Sequence, residues 1–194
     1  MALALIYTRD YDRAGLDRQL LVREEKSGRL TRIRRGVYVP SAEYRALPWW
    51  EQRLVHLDAV VGTRRSEQVL IQQSAAAIWG IPTIGRSFYV LVLARNGTHG
   101  RARAGVRHHA RVLLEPVVRH NGFMVTSRAQ TAVDIAAYCR FEEAIPVMDH
   151  VLRNDRGRGL RALEPEQLSR LAELLPAGRR RRFERVLSFA DPLA

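Results

Sequence analysis

Cysteine is almost missing. Cys139 stands alone among 194 residues, so no internal disulfide can form, and its setting in AVDIAAYC is that of a buried thiol in a reduced protein. Long apolar runs are missing too. No stretch reaches the 18 or so residues that a membrane-spanning helix requires. The opening MALALIY is short, carries no small-residue cleavage pattern and runs straight into TRDYDR, so it does not read as a secretory signal. A soluble, cytoplasmic protein with no membrane partner is expected. Phosphate-cradling GxxxxGK, a GxGxxG after a strand and a GxSxG elbow are all lacking, which argues against a P-loop NTPase, a dinucleotide-binding domain or a serine hydrolase. Lysine is reduced to Lys26; the other 31 basic residues are arginine.

What the chain has in quantity is positive charge. Thirty-two basic residues face 20 acidic ones, for a net charge of +12 and an isoelectric point near 11.1. A preference for arginine over lysine can reflect coding bias, but such a bias does not explain the excess over acids. A field of this sign concentrates polyanions and favours phosphate contacts, so nucleic acid is the expected partner. The excess becomes dense in three places. Lys26 to Arg35 holds five cations and no acid; Arg86 to Arg111 holds six arginines with His99, His108 and His109 and no acid; Arg179 to Arg182 is an unbroken run.

LDRQLLVREEKSG, from Leu16 to Gly28, places apolar residues at 16, 20 and 21 among charges and ends on Ser-Gly, which predicts a short helix. GRLTRIRRGVYVP follows. Leu30 to Ile33 and Val37 to Val39 read as two strands around an Arg34-Arg35-Gly36 turn, and Pro40 ends the pairing. A helix followed by a tight basic ribbon is the ending of a winged helix: the helix fits the major groove and the ribbon grips the neighbouring backbone. The candidate DNA-binding residues are Arg18 and Arg23 on the helix, Lys26 and Arg29 near its end, and Arg32, Arg34 and Arg35 on the ribbon. The plain alternative is a solvated hairpin in an arginine-rich chain.

Further on, WWEQRLVHLDAVVGTRR predicts an amphipathic helix with Trp50, Leu54, Leu57 and Val61 on one face. QQSAAAIWGIP predicts a helix capped by Ser74 and stopped by Gly80 and Pro82. FYVLVLA reads as a buried strand, and VRHHARVLLEPVVRHNGFMVTS as two or three more, with Asn121-Gly122 as a turn. TSRAQTAVDIAAYC predicts a helix capped by Thr126 or Ser127, and EEAIPVMDHVL a helical segment with Pro146 near its start. Two helices close the chain, one with Leu168, Leu171 and Leu175 on a face, the other with Phe183, Val186, Leu187 and Ala190. The expected class is α+β: a small, shortened winged-helix-like domain over 1–45, then a mixed α/β domain over 46–194 ending in two helices.

No catalytic residue, metal or cofactor is predicted. His108 and His109 are adjacent, so on a strand they point to opposite faces, and neither they, His99 nor His120 has a Cys or carboxylate at ligand spacing. A nuclease needs acids to hold Mg²⁺, but Glu24-Glu25-Lys26 falls on the helix before the ribbon rather than on a strand. Asp134 and Asp149 sit within helical patterns, where pairing with arginines is the expected role.

The succession GRLTRIRRGVYVP, QQSAAAIWGIP, FYVLVLA, NGFMVTSRAQTAVDIAAYC and EEAIPVMDHVL resembles the AbiEi-type antitoxin-like proteins of bacteria over most of residues 5 to 190. The resemblance implies an N-terminal winged helix-turn-helix that binds double-stranded DNA and represses its own operon. It also implies a C-terminal α/β domain that counters a nucleotidyltransferase-like toxin, without catalysis. Two differences stand out. Only four residues precede LIYTRDYDRAGL, where the family carries a first helix, and the sequence ends at Ala194, where many relatives continue into a very-short-patch-repair-like endonuclease domain. The alternatives are therefore the DNA-targeting front half of such a nuclease, or a protein-interaction domain in which the shortened winged helix no longer binds DNA.

Overall fold

The computed structural model describes residues 3–64, 66–85, 87–94, 102–191 and 193. The chain divides into two units, Met1–Ser66 and Glu67–Ala194, so the first runs beyond the 1–45 expected. The reason lies in its last helix. Arg9 Nη1 donates to the Gly62 carbonyl at 2.7 Å, and the Tyr7 hydroxyl occupies the space that a Cβ at Gly62 would take. The segment after residue 45 is thus bound to the very start of the chain.

In the first unit, β1 (Ile6–Tyr7) leads into α1 (Thr8–Arg13) and α2 (Arg18–Lys26), followed by β2 (Leu30–Arg34), β3 (Val37–Pro40), α3 (Ser41–Ala46) and α4 (Trp49–Gly62). The strands form an antiparallel sheet in the order β1-β3-β2, with Ile6 opposite Tyr38 and Thr31 opposite Val39. Strand β3 is central because Val37, Tyr38 and Val39 suit a position flanked on both sides, and all three are buried. Pro40 has no N–H to give and falls at the strand's end. Leu21 is the buried residue of α2, and α2 and α4 both pack on β2.

Helix α4 turns a different face inward from the one expected. Val55, Leu57, Ala59, Val60 and the stem of Arg53 are buried, whereas Trp50 is 56% and Leu54 37% exposed. This helix has apolar residues on more than one side, and helical spacing alone allowed two stripes; only Leu57 belongs to both. Burial also pushes the Arg53 pKa down to about 10.

The second unit holds β4 (Val69–Leu70), α5 (Gln72–Trp79), β5 (Val90–Leu93), β6 (Ala102–Arg103), β7 (Val106–His109), β8 (Val118–His120) and β9 (Phe123–Val125). Four helices follow: α6 (Arg128–Tyr138), α7 (Phe141–Val151), α8 (Pro165–Glu173) and α9 (Ala177–Phe189). The sheet is mixed, in the order β6-β7-β5-β4-β9-β8, with β4–β9 and β5–β7 parallel and the other pairs antiparallel. Asn121 and Gly122 take positive φ, 49° and 82°, as a two-residue hairpin between β8 and β9 requires.

Every residue of α6 from Arg128 to Ala137 is buried, because α5, α7, α8 and α9 all pack against it. Its four alanines let the surrounding helices approach, and Met148, Leu168 and Phe183 complete the core around Ala132 and Ile135. Ser127 caps α6, its hydroxyl accepting from the Gln130 N–H at 3.0 Å. Two local expectations change. Ser74 does not cap α5, which starts at Gln72; its hydroxyl instead accepts from the Leu91 N–H at 2.8 Å and fastens the helix to β5. Pro146 lies mid-way along α7 rather than in its first turn. The class is α+β: the first unit packs helices around a three-stranded sheet, and the mixed second unit has two helices after its other elements. No described helix is long and apolar enough to cross a membrane.

Candidate nucleic-acid interface

The four-residue turn between α1 and α2 is built from three local devices. Leu16 N–H donates to the Tyr11 carbonyl at 2.8 Å, Gly15 takes the positive φ of 66° that the reversal needs, and the Asp17 carboxylate accepts from the Gln19 N–H at 2.8 Å. Two helices joined by a short glycine-containing turn have the element order of a helix-turn-helix. The β2–β3 ribbon follows directly. Its tip turns at Gly36, φ 77°, and the Gly36 carbonyl accepts from Thr8 N–H at 3.0 Å, which ties the ribbon to the start of α1. A register shift between Arg32 and Arg34 leaves Ile33 unmatched and re-aims the arginines that flank it.

Six of the seven predicted contact residues, all but Arg34, are exposed, but they are not equivalent. Arg18 is paired with Asp12, Arg23 with Asp17 at 3.2 Å, and Arg29 with Glu24. The Arg29 guanidinium holds the Glu24 carboxyl below its usual range. Among the described residues, Lys26 and Arg35 form no ion pair with an acid. Arg32 Nε lies 3.4 Å from the Arg34 carbonyl. Arg34 is half-buried, and desolvation, with the neighbouring Arg64 second, pushes its pKa down. That proximity of Arg64 was not legible in the sequence, where 30 positions separate the two; bringing two guanidiniums together suits an anion placed between them. Solvent-exposed ion pairs of this kind contribute little to stability, so a phosphate can replace the carboxylate with small loss.

Helix α2 has a distinct outward face. Measured round the helix from buried Leu21, the opposite side carries Gln19, Val22, Arg23 and Lys26, at the i, i+3, i+4, i+7 spacing of one stripe, and all four are exposed.

Several titratable groups of the second unit are engaged within the fold. Gln73 Nε2 donates to Cys139 Sγ at 3.1 Å, and burial pushes the thiol up to about 11, so it is not a thiolate at neutral pH. Burial raises Asp134 to about 7, partly opposed by Arg111 and by a hydrogen bond from Gln130. Asp149 accepts from the Asp191 N–H at 2.7 Å. His120 stacks on Trp79 with centroids 4.1 Å apart, His108 and His109 are consecutive on β7, and His99 lies outside the described residues, as does Arg86. The run from Arg179 to Arg182 is largely employed within the fold. Arg179 Nη1 donates to the Ala137 carbonyl at 3.4 Å, Arg182 donates to the Cys139 carbonyl, and Arg180 pairs with Glu184 at 3.3 Å. Two of these arginines thus satisfy carbonyls at the C-terminal end of α6.

No family model matches the chain, and no curated protein matches it. Among solved structures it is similar to the RV2827C protein from Mycobacterium tuberculosis. The likeness has a TM-score of 0.51 at 16% sequence identity and covers 95% of this chain and 71% of that one. At this identity the likeness is one of fold.

Proposed function

We propose that the protein is a DNA-binding transcriptional regulator of antitoxin type, which represses its own operon and counters a nucleotidyltransferase-like toxin without catalysis of its own. The observation that carries the DNA-binding reading is the helix-turn-helix of α1 and α2 followed at once by a basic β-ribbon. The antitoxin role rests on the sequence resemblance. In this reading α2 enters the major groove from its N-terminal end, and Lys26 and Arg35 meet phosphates on either side. Arg18, Arg23 and Arg29 exchange their carboxylates for phosphates as the complex forms. The net charge of +12 draws the duplex in and supplies the salt-dependent part of the affinity.

The test is a salt titration of binding to a duplex from the protein's own upstream region, beside a scrambled duplex of equal length. A thousandfold or greater preference, retained at physiological salt, is the expected result. Replacing Arg32, Arg34 and Arg35 together by Ala should weaken binding and flatten the salt dependence by about 0.9 per lost phosphate contact. Equal binding to both duplexes that vanishes as salt rises would reduce the ribbon to a general polyanion surface.

A further inference from the structure

Resting on that reading, we propose that sequence recognition by α2 is carried by Gln19 and Val22, and that the site they read contains an A·T pair. Arg18 is held by Asp12 and Arg23 by Asp17, and both acids belong to the helix-turn-helix itself. These guanidiniums are drawn back along the turn, where phosphates rather than base edges are met. Among the described residues, none restrains the Gln19 side chain in this way. Gln19 is the second residue of α2, its backbone N–H is engaged by the Asp17 cap, and its side-chain amide is exposed. The N-terminal residues of a recognition helix are those that reach base edges.

The chemistry of the outward stripe then fixes the base pair. A glutamine amide offers one donor and one acceptor side by side, the pattern that pairs with adenine N6 and N7 in the major groove. Val22 is one turn further along the same stripe and 41% exposed, the apolar member of that stripe; Leu20, off the stripe, is 42% exposed. A thymine methyl is the apolar group that a major groove presents to such a residue. Lys26 continues the stripe and provides a cation where the groove wall returns to phosphate. An A-form duplex is excluded as occupant by the same geometry, because its major groove is too narrow to admit a helix.

The experiment is a selection of bound duplexes from a randomised pool with the full chain, followed by affinity measurements for wild type, Gln19→Ala, Val22→Ala and Lys26→Ala. Ala at position 19 keeps the N–H that Asp17 caps, so the variant folds. The expected result is a selected site with an A·T pair at which Gln19→Ala loses about five- to 150-fold in affinity. On the same duplex with that pair changed to G·C, wild type and Gln19→Ala should bind alike. Lys26→Ala should weaken both duplexes equally. A selected site whose preference is unmoved by Gln19→Ala but abolished by Arg18→Ala or Arg23→Ala would overturn this assignment while leaving the DNA-binding reading standing. A pool in which no duplex is preferred would overturn both.

Discussion

Helices α2 and α6 are of similar length and opposite design. In α2, nine residues bury a single side chain, Leu21, and the polar groups face water or one another in exposed pairs. In α6, ten consecutive residues are buried and the polar ones, Arg128, Gln130, Thr131 and Asp134, are built into the surroundings. Gln130 shows how: its Oε1 accepts from the Leu114 and Glu115 N–H groups at 3.0 and 3.2 Å, and its Nε2 donates to the Val112 carbonyl at 2.8 Å. Polar groups in α2 are exchangeable and those in α6 are not. That difference directs the functional reading to the first unit, although the second is larger and holds more ionisable groups.

The largest effect is expected at the centre of the second unit. Phe183 is fully buried against the α6 core, and Phe183→Ala should cost about 3–5 kcal/mol in a denaturant titration. A loss below about 1 kcal/mol would mean that α9 is not part of that core. Asp134 gives a second test by pH. Its pKa is raised in the fold, to about 7, so the protonated form is the one that folding favours. The contribution is complete below about pH 4, the unfolded value, and is lost as pH rises through 7. By linkage the loss reaches up to about 4 kcal/mol. Asp134→Asn should flatten stability across this window, and a wild-type profile already flat from pH 4 to 7.5 would count against a buried neutral carboxyl.

In the first unit the expected effects are smaller. Asp17→Ala removes the cap of α2 and should lower stability by about 1 kcal/mol, read as a shift in the thermal midpoint. It also releases Arg23, so DNA affinity need not fall in step with stability.

Much of this was legible in the sequence where the signal is local. The Ser-Gly stop after α2, Gly36 in the ribbon, Asn121-Gly122 in the hairpin and Ser127 before α6 each act through their own backbone or a neighbour a few residues away, and each took its expected place. What was missed depends on distant partners. Strand β4 is only Val69–Leu70, yet it joins β5 to β9 near the middle of the six-stranded sheet, with Leu70 opposite both Val92 and Val125. Two residues carry no periodicity. Ser74 looks like a cap until β5 arrives to donate Leu91 N–H, and the inward face of α4 is chosen by the sheet rather than by its own pattern. The candidate interface divides in the same way. Its helix and ribbon were readable, while the acids that occupy Arg18 and Arg23, and the nearness of Arg64 to Arg34, required the folded chain.

Those acids provide the sharpest contrast between the helices at the smallest energy. Arg18→Ala and Arg23→Ala should each change stability by less than about 1 kcal/mol, since exposed pairs contribute that little. Each should nevertheless lower the salt slope of DNA binding by about 0.9 if the guanidinium moves from carboxylate to phosphate on binding. Asp12→Asn probes the exchange from the other side. With its carboxylate neutralised Arg18 no longer has to leave an ion pair, so DNA affinity should rise a few-fold at low salt while the thermal midpoint stays within a degree or two. A drop in affinity would mean that Asp12 holds Arg18 in its binding position, and the pair would then belong to the rigid, α6-like kind of polar group rather than the exchangeable kind.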